Sequence, residues 1–169
     1  MISPSDFSSL FDLYYPRLYA YVRSRVADQE TAEDITAMAF ERTLRHTYDP
    51  AKATFATWLF RIARNLVINH YLSLKRRPVY QELEEVAESW PAEVSLEQQL
   101  LHQEQGQVLT EALSGLSERD REIIQLKFFG RLTNRKIAEI LELNEKSVSV
   151  IVLRALQKLK VRLEAQETS

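Results

Sequence analysis

The chain has 169 residues, with 22 Lys and Arg against 24 Asp and Glu, three glycines and no cysteine. At 45% hydrophobic and 27% charged it has an ordinary globular composition, too apolar for disorder throughout, and the missing cysteines exclude a disulfide framework, a thiolate zinc site and a cysteine nucleophile. No stretch approaches the roughly 18 uncharged residues of a membrane span, and Met1 to Phe7 lack the basic start and apolar core of a signal peptide, so a cytoplasmic protein is expected.

Phe7, Leu10, Phe11, Tyr14, Leu18, Tyr21 and Val22 recur at helical spacing, which predicts a first helix within residues 1–26, kinked or interrupted at Pro16. Asp28 can cap a second helix that buries Ala32, Ile35, Ala39 and Phe40 and ends before the turn at Tyr48-Asp49-Pro50. A third helix is expected from about Thr54 to Leu74. Its inner stripe is Phe55, Leu59, Ile62, Ala63 and Leu66, while Thr57, Arg61, Arg64, Asn65 and Ile68 share another face.

After Arg76 the prolines at 78 and 91 and a run of acids read as a linker. Helix resumes near Ser95, weakened by Gly106, with Leu96, Leu100, Val108, Ala112, Leu113 and Leu116 on one side. Ser117 with Asp120 can cap the next helix, which Gly130 should stop. A short helix after Thr133 and a longer one after Asn144 follow, with Ile137, Ala138, Leu143 and Val148 where two steeply crossing helices must meet. That is helix-turn-helix spacing, although any helical hairpin shares it. The expected fold class is all-α: two small helical domains, 1–77 and 95–169, joined by an acidic linker over 78–94, with the helix-turn-helix at about 133–160.

Charge is unevenly divided. Residues 1–80 carry a net +3, residues 81–110 a net −7 with no base, and residues 111–169 a net +2. His46, His70 and His102 lie far apart without partners at metal-ligand spacing, and no phosphate loop or nucleophile elbow occurs. Neither an enzyme nor a metal or other cofactor is therefore expected. From Pro50 to Gln81 there is no acid, yet Lys52, Arg61, Arg64, Lys75, Arg76 and Arg77 are basic, and Phe55, Trp58, Phe60, Tyr71 and Tyr80 are interleaved. Cations neutralise phosphates and aromatic faces stack bases, so the span suits nucleic acid, although Phe55 and Trp58 also suit a core.

Tyr14-Tyr-Pro-Arg-Leu-Tyr, Ala32-Glu-Asp-Ile, Phe40-Glu-Arg, Thr57-Trp-Leu-Phe-Arg-Ile-Ala-Arg-Asn-Leu and Leu74-Lys-Arg-Arg, followed by Leu116-Ser-Glu-Arg-Asp-Arg-Glu and Ile137-Ala-Glu-Ile-Leu, give the chain a resemblance. It resembles the extracytoplasmic-function (ECF) group of sigma-70-family RNA polymerase sigma factors over nearly its whole length. The resemblance implies an alternative sigma factor that binds core RNA polymerase, through the clamp of the largest catalytic subunit and the flap of the second largest, and directs it to promoter DNA under an anti-sigma factor. It places clamp contacts on Glu33, Asp34, Phe40, Glu41 and Arg42. Minus-ten recognition and melting fall to Lys52, Arg61, Arg64, Asn65, Asn69, Lys75, Arg76 and Arg77, and minus-thirty-five contacts to Arg135, Lys146, Ser147, Ser149 and Arg154. The acidic linker would run through the polymerase channel.

Three places depart from the family's pattern: Ala37 and Met38 stand where Gln-Glu is usual, Glu142 where glycine is, and Ser149, Val150, Ile151 and Leu153 along the DNA side of the last helix. Weak minus-thirty-five readout is the expectation. So is packing of that helix's surplus apolar surface against the N-terminal domain, an anti-sigma factor or a second copy. A sigma-like protein-interaction adaptor is the alternative reading of the chain, and a one-component repressor would leave the aromatic-basic helix unexplained.

Overall fold

The computed structural model describes residues 2–76 and 109–167, and both groups of helices form from short-range signals. Helix α1 spans Pro4–Arg25, capped by Ser3 with Pro4 in its first turn, and α2 spans Gln29–Arg45, where the Asp28 carboxylate accepts from the Thr31 backbone N–H at 2.7 Å. That bond, with a second donated by the Thr31 hydroxyl, holds the Asp28 carboxyl below its usual pKa. Helix α3 covers Phe55–Lys75, with Thr54 as its cap.

The described part of α4 is 109–114, followed by α5 over Glu118–Ile124, capped by Ser117 as expected. The chain does not stop there: a π turn carries the helix through Gln125–Phe129, closed by the Gly130 N–H donating to the Gln125 carbonyl at 3.2 Å. Helices α6 (Asn134–Leu141) and α7 (Glu145–Glu167) form the hairpin read from the spacing, with Thr133 capping the first. Among the described residues no helix is long and apolar enough to cross a membrane.

The expected break at Pro16 does not occur, and α1 is one helix across it. Proline removes one backbone donor, but Leu18, Tyr21 and Val22, all fully buried in the turns beyond, anchor the second half against the core. Fold prediction and structure also differ at α3. Its inner stripe is buried as expected at Phe55, Leu59, Ala63 and Leu66, but Ala56, Thr57, Phe60 and Val67 are buried as well. A helix buried on that much of its circumference has neighbours on two sides. One is the pair α1 and α2; the other is the C-terminal unit, whose π turn packs on α1 and whose α6 packs on α3.

One hydrophobic cluster consequently runs through both units, from Leu18, Tyr21 and Phe60 to Ile123, Leu126, Leu132, Ile137 and Val148. A smaller cluster, Ala112, Leu113, Leu116, Ile124, Ala155 and Leu159, ties α4 and α5 to α7. Gly130 sits at the join. Its φ is ordinary, at −76°, so its role is space: a Cβ there would lie 2.9 Å from the Phe60 ring and 2.7 Å from the Leu126 carbonyl.

Candidate nucleic-acid interface

Helix α3 presents the acid-free face in two parts. Asn65, Asn69, Lys75 and Arg76 are exposed along its outer half, as is Lys52 in the preceding loop, and Arg77 lies outside the described residues. Arg61 and Arg64 are engaged by the C-terminal unit. The Arg61 guanidinium donates from Nη2 to the Glu139 carbonyl at 2.5 Å, the buried Thr57 hydroxyl donates to the Glu139 carboxylate at 3.1 Å, and Arg64 Nε is ion-paired with Glu122. Two of the candidate cations therefore face protein acceptors.

The aromatics around this face divide between support and surface. Trp58 stacks on Tyr48 at 5.1 Å and meets Phe55 edge-on, while the Tyr48 hydroxyl donates to the Ala53 carbonyl at 2.8 Å, so the three rings brace the loop before α3. Phe60 is fully buried against Tyr21 and Gly130 and offers no face for a base. Tyr71 is exposed, and its hydroxyl donates to the Arg25 carbonyl.

Sequence reasoning missed the residues that join the two units. Glu122, buried, lies between Arg64 and Arg25, with Arg25 Nη1 3.2 Å from its carboxylate. Arg25 also donates to the Tyr21 hydroxyl at 2.8 Å, and burial pushes that phenol up to about 12, which keeps it neutral near pH 7. Arg17, within the Tyr14-Tyr-Pro-Arg-Leu-Tyr motif, donates to the Gly130 and Arg131 carbonyls, each at 2.9 Å, and Gln125 donates to the Ser24 carbonyl at 2.9 Å. An available signal was Glu122 itself, an acid set directly against the apolar pair Ile123-Ile124.

On α2, Glu33, Asp34, Glu41 and Arg42 are exposed on the side away from the core, with Glu33 held by Gln29 at 2.9 Å and Glu41 paired with Arg45. Phe40 differs from its expected place among the contact residues: it is buried, with its ring 4.9 Å from Phe11 and edge-on to Phe7, and it supports that surface from behind. Met38 and Leu44 are the large exposed apolar side chains of the helix.

In the helix-turn-helix, Arg135, Lys146, Ser147, Ser149 and Arg154 are all exposed. The Asn134 amide donates to the Ser149 hydroxyl at 3.1 Å and the Ser149 hydroxyl donates to the Glu145 carbonyl at 3.1 Å, which fixes the start of α7 against α6. Glu142 takes the left-handed conformation, φ 57° and ψ 45°, at the turn where glycine fits best. The expected DNA side of α7 needs one correction: Ile151 is only 3% exposed and belongs to the core with Val148 and Val152. Val150 and Leu153, by contrast, stand 53% and 58% exposed, so that part of the surplus apolar surface is uncovered in the single chain.

Comparison with known proteins matches residues 10–77 to the family described as Sigma-70 region 2 and residues 106–159 to that described as Sigma-70, region 4. The ECF RNA polymerase sigma factor RpoE of Cereibacter sphaeroides is 32% identical over 136 residues, covering 78% of this chain and 72% of that protein. The ECF RNA polymerase sigma factor BldN of Streptomyces coelicolor is 31% identical over 155 residues, 90% of this chain, and this chain spans 58% of its length. Among solved structures, CnrH in complex with the cytosolic domain of CnrY superposes with a TM-score of 0.68 at 22% identity, covering 96% of this chain and 90% of that one, a likeness of fold.

Proposed function

The chain belongs to the ECF RNA polymerase sigma factors, and on that premise we propose that it docks on core RNA polymerase and directs initiation at a promoter class of its own. Sigma factors are not themselves enzymes, and promoter opening needs no bond chemistry. It needs binding energy for the unpaired strand that exceeds the cost of extruding a base, a few kcal/mol.

The observation that carries the reading is the order of surfaces along the N-terminal bundle. An exposed, mostly acidic side of α2, with Glu33, Asp34, Glu41 and Arg42, suits the polymerase clamp; the acid-free helix after it suits melted DNA. Lys52, Asn65, Asn69, Lys75 and Arg76 are open to a strand in the free chain, and Arg61 and Arg64 join them when the C-terminal unit moves away. Arg77 and the acidic linker of 78–94 extend the same reading beyond the described residues.

The helix-turn-helix supports a minus-thirty-five contact that grips more than it reads. Arg135, Lys146 and Arg154 can reach phosphates, whereas Val150 and Leu153 offer only apolar contact of the kind a thymine methyl accepts, and Ser149 is held by Asn134. An anti-sigma factor is the expected regulator, and Val150 and Leu153 are available to it.

Reconstituted transcription with core polymerase tests the assignment. Start sites should appear only when this protein is added, and alanine at Arg61 and Arg64 together should reduce opening of a duplex promoter more than use of a pre-melted one. Failure to associate with core polymerase, or unchanged initiation by that double variant, overturns it.

A further inference from the structure

Arg25 and Arg64 come from different helices of the N-terminal bundle, α1 and α3, yet both point at the one Glu122 carboxylate of the C-terminal unit. Both guanidinium groups close on the same Glu122 Oε1, and two guanidinium groups meeting at one acidic oxygen is a donor set that a phosphate oxygen also satisfies. The pair is built rather than incidental. Arg25 is only 13% exposed and is fixed from behind by the fully buried Tyr21 hydroxyl, and the exposed Tyr71 holds the Arg25 carbonyl. A surface cleft of about 340 Å³, lined by Arg64, Glu118, Arg119, Glu122, Leu141 and Leu143, opens onto the Arg64–Glu122 ion pair, so solvent and anions reach that side of the cluster without passage through the core.

We infer that Arg25 and Arg64 form a nucleic-acid phosphate site, and that the Glu122 carboxylate occupies it in the free chain as an internal competitor, so that the C-terminal unit and a single DNA strand exclude each other there. The inference deepens the minus-ten reading of Arg64, rests on it, and adds Arg25 to the site. Glu139 acts in the same sense beside it: its carbonyl takes Arg61 and its carboxylate takes the Thr57 hydroxyl. Removing Glu122 from between the arginines exposes two cations that lack a counter-charge, and a phosphate is the partner that restores it. The apparent affinity of the free protein for DNA is thereby scaled by the fraction of molecules whose units are apart.

The test uses the full-length protein without polymerase and a short fluorescent single-stranded deoxyoligonucleotide as the probe. Glu122→Gln keeps the shape and removes the charge, and it should tighten binding by about tenfold. Adding Arg25→Ala to that variant should abolish the gain. Equal binding by wild type and Glu122→Gln, or a gain that survives Arg25→Ala, overturns the inference. A second experiment leaves Glu122 in place. The chain has no cysteine, so a Thr57→Cys, Glu139→Cys pair bridged by a short reducible cross-linker locks the units together. The bridged protein should bind the oligonucleotide at least about tenfold more weakly than the same protein after reduction, and equal binding in the two states overturns the inference. The functional assignment fails separately: a protein that shows the oligonucleotide effects but supports no initiation with core polymerase retains the phosphate site and loses the sigma role.

Discussion

Helices α3 and α7 reverse each other's expectations. The polar outer face of α3, which reads as open to DNA, is covered by a neighbouring unit at Thr57, Arg61 and Arg64; the apolar excess of α7, which reads as covered, stands open at Val150 and Leu153. A helix's composition states how much apolar surface it has, but the neighbours decide which surface is buried. Polar groups can be buried when each finds an acceptor, as Arg61 and Thr57 do on Glu139. An apolar stripe of two or three residues can stay in water without unfolding anything.

The contrast breaks most visibly at Ile151. Placing an unpaired charge there, Ile151→Arg, should destabilise the C-terminal unit by more than about 4 kcal/mol, read as loss of its cooperative unfolding transition. Phe60→Ala should cost about 3–5 kcal/mol in denaturant unfolding and also loosen the contact with the π turn, whereas Leu59→Ala, on the bundle's inner side, should cost about 2–5 kcal/mol and leave that contact intact. Hydrogen exchange in residues 125–132 separates the two. Glu142→Gly should sharpen the hairpin by about 1 kcal/mol, seen as a higher melting temperature, because glycine takes the left-handed turn without a Cβ penalty. Leu153→Arg should change stability by less than about 0.5 kcal/mol, while the salt dependence of DNA binding steepens by about one charge if that face meets DNA.

What could be read from the sequence was what depends on near neighbours. Asp28 and Ser117 cap as expected, and Thr54 and Thr133 cap the helices read as starting beside them, because each satisfies an amide within three residues. Ile137, Ala138 and Val148 pack in the core as the hairpin spacing requires. Long-range pairs were not legible: nothing local to Arg64 names Glu122, and nothing local to Arg17 names the Gly130 and Arg131 carbonyls. The π turn was hidden for a related reason. Gly130 reads as a helix stop, while the π turn before it packs against α1, a neighbour that no local signal names. Phe40 reads as core from its spacing and is buried there, while the contact role given to it comes from the resemblance alone.

The Gly130 join has a steric meaning beyond stability. Because an aromatic edge rests on bare main chain there, the meeting of the two halves is gauged to the width of a single methyl group. Alanine at this position would act as a wedge: the backbone angle tolerates it, but the ring and the Leu126 carbonyl must both retreat. A one-carbon change could thus hold the molecule ajar while every charge on it stays in place.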